Sequence, residues 1–166
     1  MSARLTLRHI REDDAPALLA LYREPSVVRF LGRAPTSEAE ERANIRRHRA
    51  EYYERRGFGL LAMELPDPEP VLIGRCGLLD SEIAGRPEIE VSWVLAPAYR
   101  GRGLATEAAR TVLDHAATNL ELTRIVAVIS PDNVASIRVA ERLGMRFDGV
   151  VPYKTFGEVN LYVRDT

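Results

Sequence analysis

Cysteine is almost absent. Cys76 is the only one in 166 residues. A lone thiol builds no disulfide framework and no cysteine-based metal site, so the expected setting is reducing and cytoplasmic. An excess of one charge is also missing. Lys and Arg number 23 against 24 Asp and Glu, a formal net charge of -1. No global basic field points to nucleic acid, and any anion site must be local. No apolar run approaches the roughly 18 residues of a membrane span, and the opening MSARLTLRHIREDD lacks the apolar centre of a secretory signal. His9, His48 and His115 have no metal-ligand spacing and read as surface residues, so no metal is expected. Repeats, low-complexity tracts and long linkers are absent too, and residues 1–166 read as a single domain.

What is present is a sequence of strands and helices. Leu5 to Ile10 alternates and predicts a first strand. Asp13 then stands as N-cap for a helix over APALLALYRE, with Pro16 in its first turn. FLGRAP (30–35) predicts a loop. Ser37 and Glu40 have capping-box spacing ahead of a charged helix that runs to about Arg56 and stops at Gly57. Its ERANIRRHRAEYYERR reads as a solvated face. GFGLLAMEL and VLIGRCGLL predict a hairpin about PDPEP, and EIEVSWVLA a further strand. Leu104, Ala105, Ala108, Ala109, Val112, Leu113 and Ala116 form one stripe of a helix over 104–119. TRIVAVIS predicts a strand and NVASIRVAERL a short helix ended by Gly144. MRFDGVVPY and VNLYVRD predict two last strands. The order β-α-α-β-β-β-α-β-α-β-β implies a mixed α/β sheet with helices packed on it.

Residues 97–108, PAYRGRGLATEA, carry the chemistry. Gly101 and Gly103 sit between a strand and a helix start. Three readings compete. The turn could be purely structural. It could be a dinucleotide fingerprint, but the third glycine position holds Thr106 and the glycines follow the strand by about six residues rather than at once. It could be a pyrophosphate cradle, in which free N–H groups at a helix start take an anion, glycines let the backbone approach, and Arg100 and Arg102 add charge. The phosphate-loop pattern G-x-x-x-x-G-K-[ST] is absent.

Arg100, Gly103 and Ala105 fit the [Q/R]-x-x-G-x-[G/A] signature of the GNAT superfamily of N-acyltransferases. NVASIRVAERLGMRFDG (133–149) resembles that superfamily's second conserved block. LTLRHIREDDAPALLALYREPSVVRFLG resembles the opening of the branch that acetylates ribosomal-protein N-termini. The resemblance runs through nearly the whole chain in order. It implies a central mixed sheet of six to seven strands, about four helices on both faces, and a splayed strand pair that holds acetyl-CoA. EIEVSWVLA and TRIVAVIS would be that pair.

By the same resemblance, the backbone at Val94, Leu95 and Ala96 would bind the pantetheine amides. Arg100, Gly101, Arg102, Gly103, Leu104 and Ala105 would cradle the pyrophosphate, with Thr106 adding a hydroxyl. Asn133 and Ser136 would face the cofactor arm. The expected reaction is direct transfer of acetyl to a primary amine, foremost a protein N-terminal α-amine. A small amine (amino acid, polyamine or aminoglycoside) is the alternative acceptor, and a non-catalytic acyl-CoA-binding module the alternative function. Family members are monomers or homodimers. The amine must lose a proton, the oxyanion needs a donor such as a strand N–H near Val94, and the leaving thiolate gains from an acid. Alternation sets Glu88, Glu90, Ser92 and Val94 on one strand face, and Glu90 is the candidate base. The family's usual acid is a tyrosine seven residues after the Asn, where this chain has Ala140. Ser136 is then the nearest hydroxyl, with Tyr153 and Tyr162 as further donors. Cys76, in an apolar strand, reads as a packed core thiol.

Overall fold

The computed structural model describes residues 4–66, 68–153 and 156–165. Seven strands form one sheet: β1 (Thr6–His9), β2 (Leu60–Leu65), β3 (Val71–Ile83), β4 (Arg86–Leu95), β5 (Arg124–Ile129), β6 (Arg146–Pro152) and β7 (Glu158–Asp165). Their spatial order is β1-β2-β3-β4-β5-β7-β6. Every neighbouring pair is antiparallel except β4 and β5. Five α-helices accompany them: α1 (Ala15–Arg23), α2 (Pro25–Leu31), α3 (Glu38–His48), α4 (Leu104–Asn119) and α5 (Val134–Arg142). This is the expected mixed α/β architecture. The extra helix is α2, which takes up Phe30 and Leu31 at the start of the expected FLGRAP loop.

Alternation along β4 sends its two faces to different helices. Val91 and Leu95 join the cluster under α4 and α5, with Leu104, Val112, Leu113 and Ala140. Val94 joins the cluster under α1, α2 and α3, with Leu18, Val27 and Ile45. Helices therefore cover both faces. The α4 stripe is buried as its spacing predicts, with Ala105 alone only partly covered. Burying a leucine such as Leu113 contributes about 1.5–3 kcal/mol, which explains why this long helix is fixed at its C-terminal half.

Local chemistry sets several boundaries. Ser37 caps α3 by accepting the Glu40 N–H. The Glu40 carboxylate reaches past Ser37 and accepts the N–H and hydroxyl of Thr36. The expected Asp13 cap is corrected to Asp14. A 3-10 turn at Glu12–Asp14 precedes α1, and Asp14 accepts the Arg11 N–H together with both ends of the Arg8 guanidinium. Arg8 also holds Glu64 on β2, so one cation ties β1 to β2 and to the first helix. The solvated-face reading of 41–56 holds only in part, because Glu41 is 4% exposed. His48 is half-buried rather than a surface residue, and its Nε2 accepts the Leu60 N–H at 2.9 Å. β3 and β4 form a long hairpin closed by Ala84 and Gly85, both at positive φ, the geometry of a type I′ turn.

Candidate active site

β4 and β5 meet at a single rung, where Glu90 pairs with Val126. Beyond it the strands part and open a cavity of about 1020 Å³. Its walls come from β4 and β5, the start of α4, the start of α5, α2 and the β6–β7 connection. The helix-side wall begins at PAYRGRGLATEA. Gly101 and Gly103 both have φ of 77°, in the left-handed region that glycine tolerates best. A Cβ on Gly101 would meet nothing within 4 Å, so its open side faces free space. The first amides of α4 have no intrahelical partner and carry the positive end of the helix dipole.

The register refines which backbone groups face the cleft. The N–H of Ala96 donates to Ile73 on β3, and the two-residue hairpin turn pairs Ile83 with Arg86. Antiparallel alternation then commits the backbone bonds of Glu90, Ser92 and Val94 to β3. Those of Val91, Trp93 and Leu95 point toward β5, which has moved away past Val91. Of the expected Val94, Leu95 and Ala96, only Leu95 turns its backbone to the cleft, and Trp93 does so with it. Val94 contributes a side-chain wall, and Ala96 is spent on Ile73 and on accepting the Tyr99 N–H.

The remaining expected cofactor residues divide by what they touch. Arg100 is not a mobile charge: its Nε donates to the Leu95 carbonyl at 3.1 Å and its Nη1 to Ser26 Oγ at 3.0 Å. Arg102 is exposed, lies outside the cavity wall, and offers its carbonyl to Arg4. Leu104 sends its side chain into the core and presents only its amide at the helix start. Ala105 and Thr106 line the cavity. Thr106 Oγ1 is buried with no hydrogen-bond partner, an arrangement that costs stability unless a ligand supplies one. The open glycine turn, this orphan hydroxyl and the outward backbone of Trp93 and Leu95 fit a long acyl carrier with a pyrophosphate.

At the fork, Glu90 is 9% exposed. The Tyr153 hydroxyl donates to its Oε2 at 3.0 Å. Tyr153 directly follows β6 and stacks on Phe156, with ring centroids 6.3 Å apart. Phe156 in turn lies against Gly32, where an added Cβ would come within 2.8 Å of the ring. Tyr153 and Phe156 thus reach toward the end of α2 and wall one side of the cleft. Asn133 and Ser136 also line the cavity, but Asn133 caps α5 by accepting the Ser136 N–H at 3.2 Å. Ser136 Oγ accepts the indole N–H of Trp93 at 3.3 Å. Ala140 is fully buried, so no aromatic ring fits there without repacking. Tyr162 packs in the core. Burial pushes the Cys76 thiol up to about 12, which keeps it a thiol. Arg75, on β3, also reaches the cavity. A lone arginine inside VLIGRCGLL was the available signal, and sequence reasoning passed over it.

A strand-to-helix turn shaped for an anion, a sheet forked at one rung and a buried carboxylate at the fork define an acyl-transfer architecture. Residues 4–146 match the family described as "Acetyltransferase (GNAT) domain". An uncharacterized N-acetyltransferase of Bacillus subtilis, YnaD, is 27% identical over 146 residues, covering 88% of this chain and 81% of that protein. Shorter matches reach the mouse alpha/beta-tubulin-N-acetyltransferase 9, 35% identical over 60% of this chain and 41% of that protein. The Escherichia coli spermidine N(1)-acetyltransferase is 30% identical over 43% of this chain and 37% of that protein. The crystal structure of an acetyltransferase from Agrobacterium tumefaciens superposes with a TM-score of 0.81 at 28% identity, covering 100% of this chain and 93% of that one. The chain belongs to the GNAT family and is an N-acetyltransferase.

Proposed function

We propose that the protein transfers acetyl directly from acetyl-CoA to the α-amine of a protein N-terminus, as a single catalytic domain in the cytoplasm. The observation that carries this reading is the buried Glu90 carboxylate at the β4–β5 fork, in a hydrogen bond with Tyr153. When bound, acetyl-CoA supplies an activated thioester.

Glu90 accepts the proton that the attacking amine loses as the C–N bond forms and the C–S bond breaks. An α-amine, with a pKa of roughly 7.7–8.0, asks less of a carboxylate base than a lysine near 10.4. The Trp93 N–H, turned out of the β3 ladder, is placed to stabilise the oxyanion. Tyr153 stands beside the base and is the hydroxyl we assign to return a proton to the leaving thiolate. Ser136 holds Trp93 from the side, and Asn133 fixes the start of α5. The α4 amides from Gly103 to Thr106 take the pyrophosphate. The tubulin N-acetyltransferase match and the N-terminal block favour a protein acceptor, whereas the spermidine acetyltransferase match favours a small amine.

Thiol release from acetyl-CoA over a panel of N-terminal peptides, free lysine and polyamines tests the reading. Turnover with peptides well above the others supports it. Turnover confined to polyamines or lysine overturns the acceptor, and no turnover with any amine overturns the reaction.

A further inference from the structure

Arg75 projects from β3 on the same sheet face as Glu90, since it pairs with Val94 and Glu90 pairs with Leu79. It is 9% exposed, yet its Nε and Nη1 are buried with no hydrogen-bond partner. An arginine so deeply placed ordinarily has an acceptor on every nitrogen, because a buried cation without partners is costly. The nearby groups leave these two nitrogens unbonded. Tyr22 meets the guanidinium with its ring, whose centroid lies 5.4 Å from Cζ, and its hydroxyl also interacts with Arg75. Glu41 is buried close by, but it takes the Asn44 amide at 3.3 Å and neither orphan nitrogen reaches it. Burial raises the Glu41 carboxyl toward its neutral form, against the pull of Arg75.

The Arg75 side chain borders a cavity besides the transfer cleft. A second cavity of about 370 Å³ lies between α1, α3 and the sheet. It shares Leu31, Arg33 and Arg75 with the transfer cleft. Arg33 and Arg47 add positive charge at this cavity, and Glu41 and Glu51 set two carboxyl groups against the three arginines. A planar guanidinium with free N–H groups matches a carboxylate better than any other biological group except phosphate. The 370 Å³ space, walled on one side by Ile10, Leu31, Ile45 and Leu60, suits a side chain better than a hydrated phosphate.

We propose that Arg75 is the anchor for an acidic side chain of the acceptor, making the enzyme selective for N-termini with Asp or Glu close to the acetylated residue. This rests on the α-amine reading above. Four strand positions separate the Arg75 and Glu90 levels, roughly 13 Å at about 3.3–3.4 Å per residue. An extended peptide covers that span within its first four residues.

The test uses peptide pairs that differ only by Glu or Gln at the second, third or fourth position. Binding is measured in the presence of coenzyme A, and acetylation by kcat/KM. The expected result is at least a tenfold preference for Glu at one position, falling to within twofold in Arg75→Met and partly restored in Arg75→Lys. Equal binding of Glu and Gln peptides by the unmodified enzyme overturns the proposal, as does a preference that survives Arg75→Met or a failure of all peptides to bind. The unmodified enzyme alone decides the matter if Arg75→Met does not fold. Acetylation of both peptides with equal constants sinks the anchor and leaves the α-amine reading standing. Arg75-dependent, acid-selective binding without acetylation does the reverse.

Discussion

Tyr153, directly after β6, donates its hydroxyl proton to Oε2 of Glu90 on β4, across 3.0 Å. The two residues lie 63 positions apart in the chain and meet where the sheet forks. In the proposed mechanism the base and the acid share this one hydrogen bond, so proton uptake and return need no second site. Glu90→Gln should lower kcat by about 10²–10⁴, the usual worth of a positioned base. Tyr153→Phe should lower kcat with little change in the affinity for acetyl-CoA. Steady-state kinetics with equilibrium binding of the cofactor separates the two effects. Full activity in Glu90→Gln at neutral pH would remove Glu90 as base.

Thr106 predicts opposite signs for stability and binding. Its buried hydroxyl has no partner in the free protein. Thr106→Val removes that cost of about 1–3 kcal/mol, so the free protein should melt higher by a few degrees. The shift added by acetyl-CoA should shrink. Melting curves with and without the cofactor test both signs at once, and a larger cofactor shift in the variant would place the hydroxyl outside the site.

Gly32 adopts φ of 87° beside the Phe156 ring. Gly32→Ala should cost about 1–3 kcal/mol, because its positive φ with ψ of -65° is sparsely populated by residues with a Cβ, and push Phe156 from the cleft wall. KM for the acceptor should change while affinity for acetyl-CoA holds, which paired titrations would read.

His48 makes part of the stability depend on pH. Burial, and next the charge of Arg75, push its imidazole down to about 4. The Leu60 N–H also occupies Nε2, which must stay unprotonated to accept it. The unfolded chain takes up the proton as pH falls through about 6.5, and the folded chain resists until about 4. This contribution is therefore complete above pH 6.5 and is lost progressively down to about 4. His48→Gln keeps an acceptor without the titration. Urea midpoints between pH 4 and 7 should fall less steeply for that variant than for the parent.

The most legible elements were those whose pattern and boundary chemistry agreed. The stripe from Leu104 to Ala116 and the glycine before it gave α4 to the residue. Asn133 and Gly144 bracketed α5 in the same way, through a side-chain cap and a left-handed stop at φ 73°. The helix at Pro25–Leu31 was missed because seven residues hold too few turns to show a period. The Ala84–Gly85 turn was missed because alanine seldom occupies its first position. The transfer site was read in part. Glu90 sat on the expected strand face, but which backbone groups face the cleft depends on register, and register belongs to two strands at once. Tyr153 came to Glu90 only because β7 is inserted between β5 and β6. Arg75 was hidden for a plainer reason: nothing in VLIGRCGLL says that a buried arginine lacks partners.

The lone rung between Glu90 and Val126 divides the sheet into two antiparallel blades, β1 to β4 and β5 with β7 and β6. Each blade is laced internally by its own ladder. Between them the backbone has one rivet, at the level of the residue proposed as base. Side chains reinforce that join on its near side, where Arg124 on β5 donates to the Glu88 carboxylate on β4 at 3.1 Å, so the gap opens only on the far side of Glu90. Whatever spans the gap past Glu90 acts as the second fastener, so the protein should be stiffest across its middle when the cleft is filled.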